Sequence, residues 1–152
     1  SLSCFSAGYG AVREIFKSDA HFERVDAVVA ADSIYAGLDP QSDRRTVNAG
    51  QMHDFLRLGQ SAAAEEKRFT LSHSAQPTPY ASTTETADYL LQSLELQREA
   101  ETSVEREGMV QKTRAERGRF LVLGFEGTTG KDHMRHLHHI DLLWDLCLFD
   151  ER

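Results

Sequence analysis

The residue whose surroundings most suggest chemistry is Ser6. It stands in Cys4-Phe5-Ser6-Ala7-Gly8, between the apolar run Leu2 to Phe5, which reads as a strand, and Ala11 to Phe16, where Val12, Ile15 and Phe16 recur at helical spacing. A serine on a sharp strand-to-helix turn projects its hydroxyl clear of a sheet, and the N–H of the next residue, Ala7, can donate to an oxyanion there. Such a turn needs small residues because the helix passes close to the strand, a need met by Ala7, Gly8 and Gly10. The plainer alternative is a glycine-rich turn carrying a surface serine. A phosphate-binding loop would require a glycine spacing and a lysine that are missing here. A serine hydroxyl is a weak nucleophile without a base. The chain has seven histidines, and four of them, His133, His136, His138 and His139, fall in one short stretch. Imidazoles three apart on a helix can share an ion. Only Asp132 and Asp141 lie near enough in sequence to complete that set, so no metal is expected.

The elements that must hold these residues alternate. Val25 to Ala31 is a near-continuous apolar run of the kind buried on both faces of a sheet, and it ends at Asp32. Gly37 to Asn48 reads as a loop, Gln51 to Lys67 as a helix, and Arg68 to Ser72 as a strand ending at His73. Ser82-Thr83-Thr84-Glu85 has the form of a capping box and starts a helix carrying Ala87, Leu90, Leu91 and Leu94 on one face. Arg119 to Phe125 is the last strand, and a closing helix runs from about Lys131 to Phe149. Residues 98–118 are densely charged and read as an exposed extension or mobile connection. Strands alternating with helices specify an α/β fold in three layers, a mostly parallel sheet of about four strands flanked by helices. A histidine base is oriented by a carboxylate, and catalytic groups collect at the carboxyl edge of such a sheet, which favours Asp32 for that place. Glu85 and Asp88 are the alternatives after the next strand, although the capping box already accounts for Glu85. Tyr35, His73 and Tyr80 line the same edge as candidates for substrate contact.

The turn around Ser6 resembles the nucleophile elbow of the α/β-hydrolase family, whose pattern is G-x-S-x-G; here Cys4 replaces the first glycine. The resemblance covers residues 1–152 as the second part of a single domain, from the nucleophile strand onward. It implies a partial α/β-hydrolase fold with its N-terminal strands missing, and a chain cut from something longer. It also implies that the base follows the last strand, which matches His133, with His136 as the rival. The implied activity is ester-type acyl hydrolysis of a small-molecule substrate. Ser6 would be the nucleophile, His133 the base, Asp32 the orienting acid and Ala7 the oxyanion donor, with no cofactor. The alternative is a non-catalytic scaffold of the same fold that binds a ligand or a protein partner.

Composition narrows the classes further. The chain has 152 residues, 40% of them hydrophobic, and only three prolines, as one globular domain requires. A formal net charge of −7 without a basic patch argues against nucleic acid as a partner. Lys112, Arg114, Arg117 and Arg119 alternate with Glu105, Glu107 and Glu116, as on a solvated surface. No apolar run approaches the roughly 18 residues of a membrane span. Cys4 and Cys147, the two cysteines, both lie in apolar segments and read as buried thiols, which leaves the compartment undecided.

Overall fold

In the computed structural model, which describes residues 1–102, 105–106 and 108–149, strand and helix alternate from the beginning. The order is β1 (Leu2–Ser6), α1 (Tyr9–Phe16), α2 (Asp19–Glu23), β2 (Ala27–Ser33), α3 (Ala49–Ala63), β3 (Arg68–His73) and α4 (Thr83–Ser93). Then come β4 (Glu99–Ala100), β5 (Glu105–Arg106), β6 (Met109–Arg117), β7 (Phe120–Phe125), α5 (Gly130–His138) and α6 (Ile140–Phe149). β1, β2, β3 and β7 lie side by side and parallel in that order. β6 adds antiparallel to β7, and β4 antiparallel to β6, while β5 pairs with the start of β6.

The sheet among the described residues is therefore mixed, with six strands along its main path, and the expectation of a mostly parallel sheet of about four is corrected. The added strands come from the charged segment 98–118. Met109, Gln111 and Ala115 of β6 are buried, whereas Lys112 and Glu116 are exposed. This is a period-two pattern, which dense charge hides from a search for apolar runs. Ser103, Val104 and Glu107 of that segment, and residues 150–152, lie outside the described residues. β6 and β7 are joined through Gly118, whose φ of +56° suits a two-residue hairpin loop. A Cβ there would come within 2.5 Å of the Ala63 carbonyl oxygen, so the hairpin tip docks on the end of α3 through glycine.

Two hydrophobic layers sandwich the sheet. β2 is buried at all seven positions because it serves both layers. Val28 and Ala30 join Val12, Phe16, Phe55, Leu58, Leu90 and Phe120 in the layer of α1 to α4. Ala27, Val29 and Ala31 join Leu121, Leu123, Leu143 and Cys147 in the layer that includes α6. Fully burying a Phe or Leu side chain stabilises by about 1.5–3 kcal/mol, so these clusters fix the sheet that carries the site. The two cysteines are buried free thiols.

Helix starts follow local side-chain chemistry. Asn48 caps α3, and Ser82 with Glu85 forms a full capping box on α4. Thr129 with Asp132 forms a second capping box on α5. α3 and α4 are each followed by a left-handed glutamate, Glu65 at φ 65° and Glu95 at φ 53°, in the position where helices commonly end on glycine. The single closing helix expected over 131–149 is two helices, interrupted at His139 (φ −115°, ψ 30°). Leu137-His138-His139-Ile140 contains no helix-breaking residue type, so the pattern alone runs on through it. No described helix is long and apolar enough to cross a membrane.

Candidate active site

β1 ends at Ser6 with φ 51°, a left-handed conformation that is uncommon for any residue but glycine. The chain then reverses at once into α1. The Gly8 N–H donates to the Phe5 carbonyl at 2.9 Å, and the Ser33 hydroxyl donates to the Ser6 carbonyl at 2.7 Å. A Cβ on Gly8 would lie 3.0 Å from the Phe5 oxygen and 3.4 Å from the Cβ of Cys4, so a small residue is needed where the helix passes the strand. Cys4, two residues before Ser6, is buried. Burial pushes its thiol up to about 11, against a hydrogen bond with Ser33, so it stays protonated and unreactive at neutral pH.

Ser6 is one of three left-handed residues, with Asp32 (φ 39°) and Ile34 (φ 72°), gathered at the carboxyl ends of β1 and β2. Glu65 and Glu95 are explained by helix termination, whereas no helix end explains these three. A β-branched residue such as Ile34 is a true outlier there. Strained conformations persist where surrounding contacts over-determine them, and they concentrate at functional sites. Here the Ile34 carbonyl accepts from the Thr86 hydroxyl at 2.6 Å, and the Asp32 N–H donates to the Ser72 hydroxyl oxygen at 3.2 Å.

The Asp32 side chain is fully buried and accepts from four donors. The Ser74 N–H and the Thr83 hydroxyl reach Oδ1 at 2.8 and 2.6 Å. The Ser74 hydroxyl and His133 Nδ1 reach Oδ2, each at 2.7 Å. Burial works to raise this carboxyl, but attraction to His136 and hydrogen bonds from Thr83, Ser74 and His133 outweigh it and hold Asp32 below its usual range. Because an ionised carboxylate only accepts, His133 Nδ1 is the donor in the Asp32 contact, so Nε2 is the atom that would accept a proton in the Nδ1–H tautomer. Phe5 stacks on the His133 ring at 4.5 Å between centroids, which sets that ring beside the residue preceding Ser6. Asp132, the partner of the N-cap Thr129 in the α5 capping box, holds the Thr128 and Thr129 N–H groups and so fixes the helical turn from which His133 projects.

The other candidates have different surroundings. His136 is buried against Phe125, with Nδ1 2.8 Å from the Ser72 hydroxyl. Burial lowers its pKa to about 4, so it is uncharged at neutral pH, and the hydrogen bonds on Asp32 carry the effect described above. His73 is buried between Thr84, 2.9 Å from Nδ1, and Arg98, 2.8 Å from Nε2. Burial foremost, and then Arg98, lowers its pKa to about 3. Since the Thr84 hydroxyl donates to the Ser74 carbonyl, it accepts from His73 Nδ1, and Nε2 accepts from Arg98. Glu85 is taken up by the capping box and by a two-pronged pair with Arg45, at 2.8 Å on each oxygen. Among the described residues no group of three His, Cys, Asp or Glu side chains is arranged to hold a metal ion.

Beside Ser6 opens a cavity of about 340 Å³, lined also by Ala7, Tyr9, Tyr35, Tyr80 and the Ala36–Gly37 segment. Arg45 ties its rim together by donating to the carbonyls of Thr78 and Tyr80. The residues missed from sequence are Phe5, Tyr9, Ser74 and Thr83. Ser74 and Thr83 become meaningful only once β2 and β3 are known to be neighbours in register, with Ala31 opposite Ser72. Comparison of the chain with protein-family models, with curated proteins and with solved structures finds no match.

Proposed function

We propose that this chain carries the catalytic machinery of a serine hydrolase of the α/β-hydrolase type acting on an ester-like acyl substrate. The observation that carries the reading is the Asp32–His133 pair at 2.7 Å, with the His133 ring stacked on Phe5, the residue that precedes a serine held in a left-handed turn. Four parallel strands side by side, with Ser6 and Asp32 at the carboxyl ends of the first and second and His133 beyond the last, add to it.

In this mechanism His133 Nε2 takes the proton of the Ser6 hydroxyl as Oγ bonds to the substrate's carbonyl carbon. The carbonyl oxygen gains the electron pair, and the Ala7 N–H donates to it. When the tetrahedral species collapses, the bond to the leaving alcohol breaks and His133 returns the proton to that oxygen. Water, deprotonated by His133 in its turn, attacks the acyl-Ser6 carbonyl; the bond from the acyl carbon to Oγ then breaks, His133 returns the proton to Ser6 Oγ, and the carboxylic acid leaves. Asp32 keeps the Nδ1–H tautomer and stabilises the imidazolium formed in each step.

A fluorophosphonate probe tests this directly. Mass spectrometry of labelled protein is expected to place the adduct on Ser6, and Ser6→Ala is expected to abolish it. A well-folded protein that takes no label would overturn the reading and favour a ligand-binding scaffold. Ser6→Ala is also expected to lower ester turnover by about 10⁴-fold or more.

A further inference from the structure

Three tyrosines from three separate segments converge on the cavity beside Ser6. Tyr9 opens α1, Tyr35 follows β2, and Tyr80 lies in the loop that leads to α4. The Tyr9 and Tyr35 rings are 5.8 Å apart at 61°, and the Tyr35 and Tyr80 rings 5.4 Å apart at 90°. Each ring thus turns an edge or a face to its neighbour, an arrangement that extends to a further ring placed among them. At about 340 Å³ the space is at the small end of the roughly 300–1,000 Å³ usual for small-molecule sites.

Charge sorts what can enter. Every residue lining the cavity is uncharged at neutral pH. Burial pushes the Tyr35 phenol up, and Asp32, Tyr80 and Tyr9 push it the same way, so it stays neutral. No cation lines the cavity itself, Arg45 at the rim is already paired with Glu85, Arg13 lies over the Tyr9 ring, and the chain as a whole is at −7, so an anionic group finds no charged partner within the lining. A cation has less to gain than the rings suggest, because the Arg13 guanidinium already sits over Tyr9 at 5.6 Å.

We infer that the cavity selects small uncharged esters whose acyl group bears an aromatic ring, seated among Tyr9, Tyr35 and Tyr80 with the carbonyl at Ser6. The inference rests on the hydrolase reading for its chemistry, but the ring recognition can be measured without it.

The test uses vinyl esters, whose leaving group carries no ring, together with a chemistry-free binding assay. Vinyl phenylacetate is expected to exceed vinyl acetate in kcat/KM by about tenfold or more, and the monovinyl ester of succinic acid to fall about tenfold below vinyl butanoate. Tyr80→Ala, at a half-exposed position, is expected to bring the phenylacetyl-to-acetyl ratio below about threefold, whereas Tyr80→Phe preserves it. Separately, Ser6→Ala titrated with phenylacetamide should shift tyrosine ring resonances at concentrations where acetamide and phenylacetate do not. Fluorophosphonate labelling of Ser6 with no phenylacetyl preference, or with a preference that survives Tyr80→Ala, overturns this inference alone. Phenylacetamide binding to Ser6→Ala in a protein whose Ser6 takes no label overturns the hydrolase reading and leaves the ring site standing. Equal binding of phenylacetamide and phenylacetate overturns the charge selection.

Discussion

Asp32 is surrounded by donors, which makes its amide replacement more damaging than loss of charge alone. In Asp32→Asn one oxygen becomes an NH2 group, which in one orientation meets the Ser74 N–H, a donor, and in the other is accepted by His133 Nδ1 only when the ring proton sits on Nε2. We expect kcat to fall by about 10³–10⁴-fold as the Nδ1–H tautomer is lost, and stability to fall by about 1–3 kcal/mol, read by steady-state kinetics and urea unfolding. Ser6 is expected to behave oppositely in stability. A serine at φ 51° carries backbone strain that glycine relieves, so Ser6→Gly is expected to stabilise by about 0.5–1 kcal/mol while abolishing hydrolysis. A Ser6→Gly protein less stable than the parent in urea would show that the turn is not strained.

Among the elements, α3 and α4 offer the control for that experiment. Glu65 and Glu95 hold the same left-handed backbone merely to end helices, so Glu65→Gly is expected to gain about 0.5–1 kcal/mol with turnover unchanged. Much of this layer of organisation was legible in the sequence. The strand that carries Asp32 near its end, the strand-to-helix turn at Ser6 and the Ser82–Glu85 capping box were visible because local chemistry dictates each of them. β6 was not, since its buried face includes Gln111 and alternates with charged residues. The interruption at His139 was not, since no residue type marks it. The polar cage of Asp32 was not, because Ser74 and Thr83 meet it only through strand order, which local sequence does not encode.

For the molecule as a whole, two buried neutral histidines set the acid limit. His136 and His73 titrate at about 4 and about 3 when folded, against about 6.5 in an unfolded chain. As pH falls the unfolded chain takes up these protons first. The stability they preserve is therefore complete above about pH 6.5, is lost progressively below it, and is gone once pH passes their folded values. Within that window each contributes a slope of about 1.4 kcal/mol per pH unit, and His136→Gln is expected to remove one such slope from urea midpoints measured between pH 6.5 and 4.5. An unchanged slope would mean that His136 is not buried uncharged. The net-acidic surface adds no comparable term in that interval, because it loses charge as carboxylates protonate only near its lower end. The double service of β2 has a sharper consequence. Its odd-numbered residues from 27 to 31 feed one layer and its even-numbered residues the other, so an insertion of a single residue in that stretch would turn every side chain beyond it through half a revolution. Asp32 would then be thrown to the opposite side of the sheet from its hydroxyl donors, and a change touching neither Asp32 nor His133 would part that pair and dismantle the core in one stroke.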